Sequence, residues 1–381
     1  MWNSLASNAL TLIIAALVLI SGVIGWAQRE YTISGRFERP ACIQVSYGES
    51  VQSVSNKLQD RELISNPLIF RLGTKYTGKS SQLKAGAFLI PALSSMESVV
   101  DIITRGGKNT CGKEILLQIG ISSQKLILRD LNPDSGRYFE ILSFNPKLDS
   151  DPLRYISARL ESDVRYRIVV AEGVTSWHLI NSLKSINFLI NDIKDVPPEG
   201  SLLPTSYEVN EGGSASKFLE RMKTEQSNAL QEAWKTRAAG TPLKNPAQAL
   251  ILASIIEKET GVESERQKVS SVFINRLIKG WKLQTDPSVI YGLTKGKSVL
   301  GRGLLQSELD LDTPYNTYLN NGLPPTPIAN PGLDSIKAAL NPDNTNYLFF
   351  VANGNGGHAF SENLRDHNKN VLDWRSKQEN K

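Results

Sequence analysis

Residues 245–261 read NPAQALILASIIEKETG, and the punctuation is that of a single helix. Asn245 can serve as N-cap, Pro246 suits the first helical position, where its missing N–H is not needed, and Gly261 stands just past the end. Leu252, Ile255, Ile256 and Glu259 fall three, four and seven residues apart and so share a face. Glu257 sits over Ala253 and Ser254 instead, turned about 200° from Glu259. The two carboxylates therefore cannot line one groove as an acid/base pair while the helix stays regular. A carboxylic acid at the end of an apolar stripe is partly desolvated, which raises its pKa and keeps it protonated near neutral pH, as a general acid requires. The alternative is an ordinary last-turn residue at a solvent edge.

Downstream, ERQKVSSVFINRLIKG (265–280) predicts a second helix that buries Val269, Val272, Phe273 and Leu277 and stops at Gly280. WKLQTDPSVIYGL (281–293) and DTPYNTYLNNGLPPTPIANPG (312–332) follow, rich in tyrosine, asparagine, glycine and proline. Aromatic rings over sugar faces, with amide and carboxylate hydrogen bonds, are the usual chemistry of a glycan cleft. A rigid Pro-rich loop without a ligand is the alternative.

Towards the N-terminus the pattern is α+β. IQVSYGESVQSVSNKLQDRELISNPLIFRL (43–72) predicts a strand, a turn and a helix with Val51, Val54 and Leu58 inward, then a second helix from Pro67. LKAGAFLIPALSSMESVVDIITRGG (83–107) predicts a strand, a cap at Ser94 or Ser95, and a helix stopped by Gly106 and Gly107. Residues 113–165 are read as an insertion or connecting subdomain, with a strand at EILLQI, a helix near 122–131 and polar turns around 132–137. Ile168–Val170 suits a buried strand, Thr175 or Ser176 a helix cap, and a long amphipathic helix is expected from about Ser214 to Arg237. His178 has no partner signal.

The first 28 residues carry no charged side chain, and residues 9–27 form an apolar run long enough to cross a bilayer. No basic residue precedes it, and Trp26 stands where a cleavage site would need small side chains, so a retained membrane anchor is expected. Arg29, Arg36 and Arg39 all follow the run; charge alone would leave the body in the cytoplasm. The net charge of +5 over 381 residues is spread along the chain, with no basic block and no nucleic-acid motif. Two cysteines and three scattered histidines make no zinc pattern, and no motif implies a cofactor. If the body is extracytoplasmic, Cys42 and Cys111 could close a disulfide worth about 4 kcal/mol; otherwise they are two separate thiols.

The stretches LASIIEKETGVESERQKVSSVFINRL, LQTDPSVIYGL, TPYNTYLNNGLPPTPIANPG and YLFFVANGNGGHAFSENLRDHNKNV resemble the endolytic murein transglycosylases, the MltG or YceG-like family, over residues 247–373. The resemblance implies a short cytoplasmic end (1–8), a transmembrane helix (9–27), a LysM-like subdomain (40–112), the intervening segment (113–165) and a larger mixed catalytic domain (166–381) with a helix-borne Glu in a glycan cleft. It implies a single-pass protein of the bacterial plasma membrane with its body outside. Its activity would be cleavage of the MurNAc-β-1,4-GlcNAc bond within peptidoglycan strands to give 1,6-anhydro ends, with peptidoglycan synthases as partners. Glu259 is then the catalytic acid and base. Gln284, Thr285, Asp286, Tyr315, Asn316 and Tyr318 match family motifs as candidates for holding the glycan. His358 and His367 have no task in a single-Glu mechanism and are expected as structural hydrogen-bonders. A hydrolytic muramidase using Asp286 as second carboxylate, and a non-catalytic scaffold, are the competing readings.

Overall fold

The apolar N-terminal run forms one helix, α1 (Trp2–Thr32), in a computed structural model that describes residues 2–46, 48–105, 111–161 and 164–379. Its span Leu10–Thr32 is 23 residues long with mean hydropathy 2.4, enough to cross a hydrocarbon layer at about 1.5 Å per residue. Leu12, Val18 and Leu19 are exposed along it, whereas Tyr31 in the last turn is buried in protein. The helix thus runs past the expected end at Ala27 into a folded body.

The chain divides into two units, one of Met1–Ile115, Ile127–Ser143 and Asp151–Arg165, the other of Leu116–Leu126, Phe144–Ser150 and Tyr166–Lys381. In the first, β1 (Ala41–Val45) leads to α2 (Val51–Asp60) and α3 (Pro67–Tyr76), then β2 (Gly86–Ile90) and α4 (Met96–Thr104). β1 and β2 pair antiparallel, with Cys42 opposite Leu89. The helix starts follow capping chemistry. Ser50 accepts from the Ser53 N–H and Asn66 from those of Leu68 and Ile69 ahead of Pro67, while Ser95, rather than Ser94, accepts from Ser98. The stop expected at Gly106 and Gly107 lies outside the described residues. Ile43, Val54, Leu58, Phe70, Ile90 and Val99 form the core. Gly73 of α3 is needed there, because a Cβ would stand 2.2 Å from the Tyr31 ring. Cys42 and Cys111 are joined as a disulfide, with their Cα atoms 5.8 Å apart.

Next come β3 (Lys113–Ile119), β4 (Gln124–Asn132), β5 (Arg137–Phe144), α5 (Leu153–Arg159) and β6 (Arg165–Val170). The helix expected near 122–131 does not form; residues 124–131 belong to β4. The apolar triplet Leu126-Ile127-Leu128 is buried on both faces and so carries no readable period. Gly120 N–H donates to the Ser123 carbonyl at 2.8 Å, closing the turn that sends the chain back.

The second unit holds α6 (Ser176–Lys184), β7 (Leu189–Ile190), β8 (Ser206–Val209), β9 (Gly213–Ser214) and α7 (Ala215–Lys235). Thr175 caps α6 and Ser214 caps α7. Within this unit β6 and β8 pair antiparallel, with Ile168 opposite Tyr207. Then follow α8 (Pro246–Glu259), a 3₁₀ turn (Glu263–Glu265), α9 (Arg266–Ile278), α10 (Asp286–Thr294), α11 (Gln306–Leu309) and α12 (Leu333–Leu340), and the chain ends in the hairpin β10 (Phe349–Ala352) and β11 (His358–Ser361) and in α13 (Leu364–Glu379). Leu252, Ile255 and Ile256 of α8 pack with Phe273 of α9 and with Ile336, Ala339 and Leu340 of α12. α8 is therefore the buried axis of this unit, and after the buried run 251–256 its C-terminal turn carries the polar side chains Glu257, Lys258 and Glu259.

Candidate functional site

Asn245 accepts from the Gln248 N–H at 3.0 Å and Pro246 opens α8, so the helix phase is fixed from its first turn. Ser254 adds a tie in mid-helix, accepting from the Ile328 N–H at 3.0 Å. At the end, Thr260 turns to an extended conformation, which leaves Glu259 as the last helical residue.

The two glutamates reach different surroundings. The Glu257 side chain is only 6% exposed; it accepts from the Gly332 N–H at 2.9 Å and faces Arg266 at 4.0 Å. Its role is to fasten the loop before α12. Glu259 accepts a hydrogen bond from the Thr285 hydroxyl on Oε1. Part of the residue remains open to solvent, but protein atoms surround the carboxyl on most sides. Desolvation, opposed by the Thr285 bond and reinforced by the negative charge of Asp286, pushes its pKa up to about 7; the charges of His358 and Arg276 pull the other way.

The partners come from α9, α10 and the loop after α11. Thr285 is the N-cap residue of α10, yet its side chain makes no cap bond to that helix, because the hydroxyl is turned to Glu259. Thr317 holds it there: its Oγ1 accepts from the Thr285 N–H at 3.0 Å. Asp286, exposed at the first turn of α10, accepts from the Tyr318 hydroxyl at 2.6 Å. Burial and the neighbouring Asp286 raise the Tyr318 pKa, so the phenol stays a donor. Gln284 is exposed and has φ +49°, a left-handed conformation uncommon for a glutamine; its N–H donates to the Thr317 carbonyl at 3.1 Å.

Arg276 of α9 is buried, with Nε on the Leu348 carbonyl at 2.8 Å and one terminal nitrogen on that of Leu283 at 2.5 Å. This fixed positive charge is felt by both Glu259 and Tyr318. His358 faces Glu265 at 2.7 Å through Nδ1 and also donates its backbone N–H to it at 2.9 Å.

Of the candidates read from sequence, Glu259, Thr285, Asp286 and Tyr318 form one connected group, with Gln284 on its rim. Asn316 is fully buried; its amide donates to the carbonyls of Leu309 and Leu311, both at 2.8 Å, so it braces the loop and offers no atom to a ligand. Tyr315 lies off the carboxyl, its hydroxyl with Thr326 at 2.9 Å and its ring 5.1 Å from that of Tyr291. Sequence reasoning missed Arg276 and the identity of Glu265 as the partner of His358, which was expected as a structural hydrogen-bonder. A signal for Arg276 was present, since it continues the buried spacing of Val272 and Phe273 on a face where a charge needs a reason.

The description of the YceG-like family matches residues 144–373, which include every side chain of this site. The chain belongs to the YceG-like family. Among relatives of this YceG-like chain, the endolytic murein transglycosylase of Bacillus subtilis (strain 168) is 30% identical over 335 residues, covering 86% of this chain and 82% of that protein. The endolytic murein transglycosylase of Streptococcus pneumoniae serotype 2 (strain D39) is 24% identical over 373 residues, 95% of this chain but 64% of that one. A crystal structure of a yceG-like protein from Listeria monocytogenes aligns with 87% of this chain and 98% of its own, at 23% identity and a TM-score of 0.47.

Proposed function

We propose that this protein is a membrane-anchored endolytic murein transglycosylase in which Glu259 is the single catalytic acid and base. The observation that carries the reading is a carboxyl poised near neutrality at the end of α8, tied to Thr285 and standing beside the Asp286–Tyr318 pair. Thr285 occupies Oε1, which leaves Oε2 to carry the proton. Glu259 gives that proton to the glycosidic oxygen as the MurNAc-β-1,4-GlcNAc bond breaks. As carboxylate it then takes the proton of the muramic C6 hydroxyl, whose oxygen attacks the anomeric carbon and closes a 1,6-anhydro ring. The nucleophile belongs to the substrate, so no second carboxylate is needed to activate water, and its proximity supplies much of the rate. Asp286 is engaged by Tyr318. That supports its use as a sugar acceptor over its use as a water-activating base.

Gln284, Asp286 and Tyr318 contact the glycan in this reading, Tyr315 supplies an aromatic surface further along, and Thr285 and Asn316 act through what they hold. α1 anchors the protein in the plasma membrane with the body outside, where its substrate lies. Residues 40–112, as a LysM-like subdomain, hold the strand near the membrane, and peptidoglycan synthases would supply nascent strands.

Digestion of purified peptidoglycan followed by mass spectrometry of the new ends tests the reaction. Ends one water lighter than reducing ends, lost by roughly 10²-fold or more in Glu259→Gln, are expected. Ordinary reducing ends would make the protein a muramidase, and undiminished cleavage by Glu259→Gln would remove Glu259 from the chemistry.

A further inference from the structure

A pocket of about 530 Å³ opens beside the Glu259 group within the second unit and has no part in the chemistry above. Its lining includes Lys147, Lys258, Lys297 and Arg302 and contains no carboxylate. Arg302 is committed to Glu308 through two hydrogen bonds of 2.8 and 2.7 Å. Among the described residues the three lysine amino groups make no ion pair, although Lys258 feels the charges of Glu257 and Glu199. Trp177, Ile290 and Ile328 add apolar wall. The larger hollow of the first unit, about 870 Å³, is different: its lining balances Arg36, Arg39 and Arg61 against Glu30, Glu38 and Glu62 and selects no charge.

Two elements join the lysine pocket to the carboxyl. Lys258 directly precedes Glu259 on α8, and Pro287 and Ile290 belong to α10, whose first residues are the Thr285–Asp286 end of the site. The loop on the far wall is held in place by Thr175, whose hydroxyl donates to the Gly296 carbonyl at 2.6 Å. The pocket is therefore preformed, positive, partly apolar and lined by the residues that directly adjoin Glu259 and Asp286 in sequence.

Resting on the transglycosylase reading, we infer that this pocket holds the carboxylate-bearing stem peptide of the muramic acid whose bond is cleaved. The peptide leaves the sugar from the lactyl group on C3, two carbons from the anomeric centre, so it must emerge within reach of a neighbouring pocket. Its alanine methyls suit the apolar wall and its free carboxylates suit unpaired lysines.

The test uses the full-length protein in detergent micelles and two substrates: peptidoglycan strands with peptides intact, and the same strands stripped of peptides by an amidase. Release of anhydro ends gives kcat/KM for each. The wild type is expected to prefer peptide-bearing strands about tenfold, and the exposed double variant Lys147→Gln/Lys297→Gln to lose about fivefold on those strands alone. Lys147→Arg/Lys297→Arg keeps the charge and should keep the preference. Equal cutting of both strands by the wild type overturns the inference, as does a double variant that loses equally on both, which would mean that the pocket holds sugar. If the wild type cuts neither strand, the transglycosylase reading fails first and the inference falls with it.

Discussion

The hydroxyl of Thr285 donates to Oε1 of Glu259, although Thr285 occupies the N-cap position of its own helix. A capping threonine normally serves its helix, and giving up that bond costs α10 about 1 kcal/mol. The hydroxyl is thus held for the carboxyl, where a donor favours the charged form and offsets part of the desolvation.

Replacing Thr285 by Val keeps the shape and removes this donor. The Glu259 pKa should rise above about 7, moving the alkaline limb of the kcat/KM profile upward, while kcat/KM below that limb falls roughly tenfold. Thr285→Ser should restore both. A pH–rate series on peptidoglycan checks this, and a rate loss with an unmoved limb would reduce Thr285 to a packing residue.

Glu257 offers the contrast. Its carboxyl is used by the Gly332 N–H and by Arg266. Glu257→Gln retains an acceptor and should cleave at close to the wild-type rate. Glu257→Ala leaves a half-buried N–H without its partner and should cost about 1–3 kcal/mol in stability, read by denaturant titration, with cleavage per folded molecule preserved. A collapse of rate in Glu257→Gln at unchanged stability would reverse the assignment of the two glutamates.

Asn316→Ala strands the carbonyls of Leu309 and Leu311 and frees the Tyr318 N–H, which donates to Asn316 Oδ1 at 3.0 Å. A loss of about 2–3 kcal/mol is expected. Because Tyr318 rides on the same turn, KM should rise more than kcat falls. Unchanged thermal stability would show that the buried amide is not the brace.

The helical phase of α8 was legible because its signals are local: a cap, a proline and an apolar stripe ending on Glu259. From that phase alone the two glutamates separate, as they do in the structure. β4 was not legible, since the triplet Leu126-Ile127-Leu128 is buried on both faces and has neither a period of 2 nor of 3.6. The diversion of Thr285 was equally hidden, as no sequence pattern tells whether a capping hydroxyl faces its own helix or a carboxyl 26 residues earlier. Asn316 shows the reverse difficulty. A polar residue in a tyrosine-rich loop reads as a ligand contact until the loop's own carbonyls need it.

The Cys42–Cys111 bond ties β1 to the start of β3 across 69 residues. Closing a loop of that length is worth about 4 kcal/mol through the unfolded state. Reduction, or Cys42→Ser/Cys111→Ser, should lower the melting temperature of the first unit. Cleavage of soluble strands, whose chemistry the proposed mechanism assigns to the second unit, should be retained. An unchanged melting transition after verified reduction would mean that the bond adds nothing to the β1–β2 core around it.

In the proposed mechanism, function and stability oppose each other at Glu259. Its pKa is raised from 4.5 to about 7, chiefly by desolvation, so the fold disfavours the ionised form. Between those values the unfolded chain has released the proton and the native protein has not. The unfolded state then binds fewer protons, and stability falls as pH rises through the window from about 4.5 to about 7, levelling off above it. Glu259→Gln is neutral at every pH and keeps an oxygen for Thr285. It should match the wild type at pH 4 and exceed it at pH 8 by on the order of 2 kcal/mol while losing cleavage. Paired denaturant titrations at the two pH values measure the difference. A variant no more stable than the wild type at pH 8 would mean that the carboxyl is better solvated than its surroundings imply, and the argument for a proton held ready near neutrality would go with it.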